Sequence, residues 1–426
     1  MSFQQALSGL SAASTNLDTI GNNVANANTV GFKDARAEFA DLFSSALNGG
    51  SNSQLGQGAR VAQIAQQFTQ GNLQTTNNPL DTGINGNGFF RTSTNGTISY
   101  SRDGQFQVNA QGYLVNSTGA QITGYPASAT GAIQTGSPVP LQINTAGLLP
   151  TATSTSQAVL NLNSGSSVPT VATFNANNPS SYNNSTSQTI YDSLGNPHTM
   201  TSYYQLQAVA PAAVPPVAAG TWNVYATLDG VPMTVTTPGV PPTTGANGQI
   251  IFNAAGGITN SGSLPFTLTS GALTTSATTP LVTTFDLTGT TQYGAPFSVS
   301  NLQQNGTAPG NLTGFSIGAD GTIEGSYSNG HAQALGQLVM ASFIDPNGLQ
   351  ATGNNSWNQT VASGDPLVST PGSGTLGTLQ SSSLEQSNVD LTAELVNMIT
   401  AQRNYQANAQ TIKTQDQIMQ TITSLR

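Results

Sequence analysis

Leu391-Thr392-Ala393-Glu394-Leu395-Val396-Asn397-Met398-Ile399 opens a run that places apolar side chains seven residues apart at Leu391, Met398, Tyr405, Ile412 and Met419, with Leu395, Ile399 and Ile422 beside them. The other end of the chain repeats the pattern: Phe3, Leu10, Leu17 and Val24 lie on the same interval, with Leu7 and Ile20 between them. A period of seven is the seam of helices that coil against other helices. The first helix is expected from Phe3 to about Asn28, where Gly31 breaks the pattern. The second is expected from an Asp390 N-cap, with Glu394 in its first turn, to near Leu425. Neither seam holds enough apolar surface to stabilise a lone helix in water, so both ends are expected to be frayed until they associate.

Between the two seams the chain changes character. Gly, Ser, Thr and Asn dominate, and alternation with a period of two replaces the period of seven. Ala158, Leu160 and Leu162 alternate, as do Trp222, Val224, Ala226 and Leu228, and Leu338 to Ile344 reads as an apolar strand. Asx-Gly pairs of the hairpin type recur at Asn85-Gly86, Asn95-Gly96, Asp103-Gly104, Asn305-Gly306, Asp320-Gly321 and Asn329-Gly330. The fold class expected is α+β: long terminal α-helices forming a coiled-coil core, and two mainly-β domains between them, the outer inserted in the inner. Composition shifts give the limits. Residues 1–28 with 386–426 form the helical core, and 29–72 with 366–385 an extended connector with room for a short helix over Ala35–Leu47. Residues 73–147 with 285–365 form the inner β domain, and 148–284 the inserted outer one.

Charge narrows the function. Of 426 residues only 6% are charged, and the net charge is −9. The eight basic residues are Lys33, Arg36, Arg60, Arg91, Arg102, Arg403, Lys413 and Arg426, so none lies between 103 and 402. Binding phosphate backbones or anionic lipid needs Lys and Arg, so nucleic acid and membrane surfaces are excluded as partners of the body of the protein. Cysteine is absent, which removes disulfides and thiolate metal sites. His198 and His331 are the only histidines and have no cluster around them, so no metal site or cofactor is expected. The N-terminus lacks a basic leader with an apolar run, and the most apolar window, 209–219, is broken by Pro211, Pro215 and Pro216. Neither a cleaved signal nor a spanning helix is expected.

Two motifs suggest chemistry and fail on context. Gly314-Phe315-Ser316-Ile317-Gly318 has the spacing of a nucleophile elbow, but Asp320-Gly321 and further alternation follow where a helix is required. Gly83, Gly86 and Gly88 lack the third glycine of a nucleotide loop, because Arg91 stands there, and Phe89-Phe90 reads as a pair delivered to a core. No catalytic residue is assigned. The low-charge helix faces, with Gln4, Gln5, Ser8, Asn16 and Asn22, admit two explanations: low charge throughout the chain, or cover by neighbouring copies around a neutral passage. Matched terminal coils with a displayed β body are the plan of an assembly subunit.

The residues assembled this way resemble the bacterial flagellar rod and hook family. Ser2 to Leu10, Leu17 to Asn26 and Thr29-Val30-Gly31-Phe32-Lys33 are similar to its N-terminal signature, which includes Asn22, Asn23, Asn26, Thr29, Gly31 and Phe32. Asn388-Val389-Asp390-Leu391 and Ala401 to Ala409 are similar to its C-terminal partner. Phe39 to Phe43, Gly83 to Phe90, Leu287 to Gly294 and Ser326 to Gly330 resemble the hook branch of that family, whereas 148–284 carries little resemblance. The resemblance implies a non-enzymatic subunit of the flexible tube that transmits torque from rod to filament. It implies passage through the flagellar export apparatus without a cleaved signal, with Phe39 and Phe43 as an export element, and assembly outside the cell. Its partners would be copies of itself, rod and hook–filament junction proteins, and the hook cap. A distal rod or junction subunit is the neighbouring alternative. A secreted β-rich adhesin is one from another class, and a hydrolase resting on Ser316 is the weakest.

Overall fold

The computed structural model describes residues 2–43, 56–144, 147–207, 220–236, 248–259, 264–271, 273, 277 and 280–424. Among the described residues, two α-helices stand at the ends, α1 (Ser2–Ala25) and α2 (Leu391–Ser424), and strands joined by turns and loops lie between them. The chain divides into two compact units. The first is Met1–Thr145 with Thr313–Ser326 and Ala332–Arg426, and the second is Ala146–Leu312 with Tyr327–His331.

α1 ends three residues earlier than its pattern suggests. Asn26 donates its backbone N–H to the Asn22 carbonyl and its side-chain amide to the same oxygen, and tight turns then carry the chain to Gly31. α2 starts where expected: the Asp390 carboxylate accepts from the N–H groups of Thr392 (2.9 Å) and Ala393 (3.1 Å), satisfying helix donors that otherwise lack partners. Both helices are formed in the single chain. Each has a partner to pack against, which isolated helices lack.

Where it is described, the connector is not helical. Ala35–Phe43 (β1) pairs antiparallel with Gly56–Gln66 (β2), with Ala37 opposite Ile64 and Phe39 opposite Val61. Ala35-Arg36-Ala37-Glu38 has local helix propensity, and a complementary strand some twenty residues on overrides it. The remainder of the helix considered there, 44–47, lies outside the described residues.

In the first unit a large sheet places Gln121–Pro126, Phe89–Thr94, Thr97–Ser101 and Ser356–Asn358 side by side. The Asn95-Gly96 turn joins Phe89–Thr94 to Thr97–Ser101 with φ of 50° and 86°, the left-handed pair that matches strand twist. Asp103-Gly104 makes no hairpin. The Gly104 carbonyl accepts from Thr82 N–H in a crossing between strands. Phe89 and Phe90 are both buried, on opposite faces. Phe90 packs with Phe106, Ile122, Leu338 and Met340, and Phe89 with Tyr100, Trp357 and Phe68. The strand read from Leu338 to Ile344 is broken: Ala332–Leu338 and Met340–Ser342 are separate, and Ile344 stands in solvent.

The second unit holds two five-stranded sheets around one core of Leu160, Tyr204, Trp222, Phe252, Phe266 and Phe285. The composition shift near 285 does not mark its edge. Val282–Asp286 and Ser298–Gln304 flank Thr155–Asn161 within one sheet, so residues 285–312 belong with the second unit. Ladder hydrogen bonds decide this, and composition does not register them.

Candidate assembly surface and the clamp beneath it

The two helices run antiparallel: Asn23 reaches Glu394 near one end of the pair, and Gly9 faces Asn408 further along. Gly9 marks a close point of their contact. Ala6, Ala13 and Ile20 are buried on α1 and Ala401 on α2, and a Cβ at Gly9 would sit 3.1 Å from the Asn408 amide. Small residues let the two backbones approach, and large ones on that face would hold them apart.

Most of the large seam residues stay at least partly open to solvent. Phe3, Leu7, Leu391, Leu395, Ile399, Tyr405 and Met419 are exposed. Leu10, Leu17, Val24, Met398 and Ile412 are half-buried, Ile20 is buried, and the Ile422 side chain lies outside the described residues. Val396 and Ile418, which the heptad reading passed over, are also exposed. The period of seven was legible in the sequence. Which stripe the chain covers by itself was not, because Ala and Gly carry no hydrophobic signal comparable to Leu or Ile.

Where the helices meet the strands of the first unit, polar groups fix them in place. Asn23 is buried; its side-chain oxygen accepts from Ala35 N–H (3.0 Å), and its amide donates to the Ala35 carbonyl (2.8 Å) and to the Asp34 carboxylate. The Asn388 side-chain oxygen accepts from Asp34 N–H (2.7 Å), and its amide donates to the Gln67 carbonyl (2.8 Å). One asparagine from each end of the chain thus holds the start of β1. Burial, and next the charge of Glu394, push the Asp34 carboxyl above its ordinary value.

Below this lies a buried charge cluster. The Lys33 ammonium donates to Glu385 Oε1 (2.7 Å) and the Thr69 carbonyl (2.7 Å), and Arg102 Nη1 donates to Glu385 Oε2 (3.0 Å). Gly71 N–H adds a bond to Glu385 Oε1 (2.9 Å), and the Arg102 guanidinium lies over the Phe89 ring. Burial, then the Arg102 charge, pull the Lys33 pKa below its usual value against the opposing pull of Glu385. Burial likewise lowers that of Arg102. Gly31 sits at φ +70° and donates its N–H to the Glu385 carbonyl (2.8 Å); a Cβ there would come within 2.8 Å of the Arg102 backbone.

The signature residues divide accordingly. Asn23 and Gly31 are buried and belong to the clamp; Asn22, in the last turn of α1, accepts from the Asn26 side-chain amide; Asn26 and Thr29 lie in the turn after α1, where the Thr29 hydroxyl donates to Asn26 Oδ1; and Phe32 is half-buried. Glu385 and the clamping part of Asn388 were missed. Glu385 is one of four glutamates in the chain, and such scarcity was the one available signal. Phe39 is exposed on β1, and the Phe43 side chain lies outside the described residues.

The other motifs carry no site. Ser316 lies in Leu312–Ile317, which turns directly into Thr322–Tyr327, so the strand–turn–helix of a nucleophile elbow is missing there. His198 sits between Asp229 (2.6 Å) and Asp192 (3.3 Å). Among the described residues, no group of three or more His, Cys, Asp or Glu is arranged to hold a metal ion, and no helix is long and apolar enough to cross a membrane.

Comparison with known proteins bears on the whole chain. Family models match in four segments: the flagella basal body rod protein (3–33), the flagellar hook protein FlgE/F/G D1 domain (83–156), the flagellar basal body protein FlaE D2 domain (161–307) and the flagellar basal body rod FlgEFG protein C-terminal (380–425). The chain is 41% identical over 431 residues to the flagellar hook protein FlgE of Escherichia coli strain K12 and 42% identical over 429 residues to that of Salmonella typhimurium, covering all of both chains in each case. The hook protein of Borreliella burgdorferi is 31% identical, over all of this chain and 99% of that one. In fold, the chain is similar to the crystal structure of Helicobacter pylori flagellar hook protein FlgE2, with a TM-score of 0.53, 14% identity, and coverage of 74% of this chain and 100% of the other. Full-length identity of this order, on top of matched terminal helices and a β body, places the chain in the flagellar hook protein FlgE family.

Proposed function

We propose that this protein is the structural subunit of a flagellar hook, polymerising into a flexible helical tube that carries torque from the rod to the filament. The observation that carries the reading is the row of large apolar side chains that the two helices leave uncovered, in a chain related along its whole length to hook proteins. Neighbouring copies would bury Phe3, Leu7, Leu10, Leu17, Val24, Leu391, Leu395, Met398, Ile399, Tyr405, Ile412, Met419 and Ile422 in a coiled-coil core, to which Ile20, already buried within the chain, would also belong. Burial of each large side chain is worth about 1.5–3 kcal/mol when complete. A head-to-tail contact that does not close repeats indefinitely, so a filament results.

On this reading the β structure is displayed outside the helical core, the outer β domain being an insertion in the sequence of the inner one, and the clamp at Asn23, Asn388 and Glu385 transmits force between the helices and the strands of the first unit. Export would precede folding, with Phe39 and Phe43 read by the export apparatus in the extended chain. Assembly would occur outside the cell, between rod and junction proteins and under a hook cap. Family membership supports a structural role over an enzymatic one. The two terminal models carry rod names, while the full-length relatives carry hook names, which favours hook over rod.

Electron microscopy of the purified chain at high concentration tests the reading. Curved tubes are expected from wild type, and soluble monomers from Leu17→Asp or Ile412→Asp. Straight tubes would favour a rod subunit, and normal tubes from both variants would remove the proposed core.

A further inference from the structure

Arg91 is a cation without an anion. It lies in Phe89–Thr94, directly opposite Tyr100 in the ladder with Thr97–Ser101. Among the described residues it takes part in no ion pair. Between residues 73 and 390 the chain has one other Lys or Arg, Arg102, which is buried on Glu385. Half-buried Arg91 is therefore the one such cation that this stretch leaves open to a partner.

Its side chain is held in place. Nη1 donates to Thr123 Oγ1 (3.1 Å), and the Thr123 hydroxyl donates back to the Arg91 carbonyl (3.0 Å). Arg91 lines a cavity of about 440 Å³, with Ile98 and Val368 as apolar wall, Tyr100 and Asn358 as polar groups and Gln359 at the rim. Burial raises the Tyr100 pKa, against the opposing Arg91 charge, so its hydroxyl stays a protonated donor. A fixed guanidinium with spare N–H groups, beside a phenol and an amide, is the chemistry of a carboxylate receptor.

Carboxylates are what neighbouring copies have in excess. The chain carries a net charge of −9, and like charges oppose packing unless some of them meet cations. Most exposed carboxylates of the β structure are already engaged: Asp320 accepts from Thr322 N–H, Asp345 from Asn347 N–H and Asp229 from Thr199 N–H. Glu324 is not. It is exposed, it faces Ala334 across its ladder, and it has no hydrogen-bond or ion-pair partner among the described residues. A register shift between Ile323 and Glu324 marks a bulge, a device that re-aims a side chain. Asp365 is exposed beside Pro366 at the cavity rim and likewise makes no ion pair with Arg91.

We propose that the Arg91 cavity of one copy receives the Glu324 carboxylate of a second copy, with Tyr100 and Asn358 supplying further donors. The inference rests on the self-assembly reading above. It adds a polar contact between β elements to the apolar helical core.

Charge reversal tests it in the full chain. Arg91→Glu and Glu324→Arg should each raise the concentration needed to polymerise about tenfold or more, and the double variant should return to within about threefold of wild type. An unchanged threshold in either single variant overturns the pairing, as does a double variant no better than the singles. Asp365→Asn should leave the threshold where it is; a rise equal to that from Glu324→Arg would make Asp365 the occupant and overturn the assignment. The absence of cysteine allows a second check that keeps both charges. Gln359→Cys and Ser326→Cys proteins, each changed at an exposed position, are co-assembled and mildly oxidised. A covalent 359–326 dimer is expected in polymer and not in dilute monomer, and polymer without it overturns the contact. Wild-type protein that never polymerises would instead defeat the assembly reading itself, and the contact with it.

Discussion

Lys33 and Glu385, 352 positions apart in sequence, form a wholly buried ion pair at 2.7 Å. One follows the first helix and the other precedes the second, so the pair joins the two ends of the chain at the base of the first unit. Arg102 shares the same carboxylate, which leaves two buried cations on one anion.

Glu385→Gln keeps the shape and removes the anion. Breaking a buried pair from one side typically costs about 3–5 kcal/mol, because the cations left behind are unpaired in low dielectric. Denaturant unfolding should show that loss in the transition of the first unit and leave the second unit unchanged. A variant within 1 kcal/mol of wild type, about the size of an exposed pair, would show that the cluster contributes little.

Asn23→Ala removes the side chain that engages both backbone groups of Ala35. Leaving such buried groups unsatisfied costs about 1–3 kcal/mol. Amide hydrogen exchange at Ala35 should quicken markedly, with little change at Trp222 in the second unit. Equal protection at Ala35 would mean that the hairpin holds its own start.

Leu395→Ser combined with Ile399→Ser changes exposed positions, so monomer stability should stay within about 0.5 kcal/mol while polymer is lost. Ala401→Leu should do the reverse to the monomer. Overpacking the close helix contact typically costs about 1–3 kcal/mol. Thermal melts and sedimentation separate the two effects. Similar melting losses from both changes would contradict the division between a covered small-residue stripe and an uncovered apolar one.

His198 supplies a pH dependence. Both ring nitrogens face carboxylates, Nδ1 toward Asp229 and Nε2 toward Asp192, an arrangement that favours the protonated ring. Burial alone would lower the His198 pKa, but the two hydrogen bonds and charges outweigh it and raise it above the ordinary 6.5. The folded state therefore holds the proton more tightly than the unfolded chain. Its contribution to stability is complete below about 6.5 and is lost as pH rises through the folded value. The urea midpoint of the second unit should fall across that window in wild type and stay flatter in His198→Gln. Parallel profiles would exclude the histidine as the source.

Local features were legible in the sequence because they depend on neighbours a few residues away. The seven-residue periods at Phe3–Val24 and Leu391–Met419, the Asp390 cap, the Asn95-Gly96 turn, the alternating strand at Trp222 and the burial of Phe89-Phe90 all follow from short-range geometry. The tertiary structure decided the rest. β1 is a strand because β2 lies opposite it, despite a helix-prone start. The helices come close where Gly9 lies against Asn408, because backbones approach closely only where side chains are small, and most of the larger seam residues stay open to solvent. Lys33, Arg102 and Glu385 share one cavity of charge because strand pairing brings distant segments together, and no pattern along the chain records which of its few charges will be withdrawn from water.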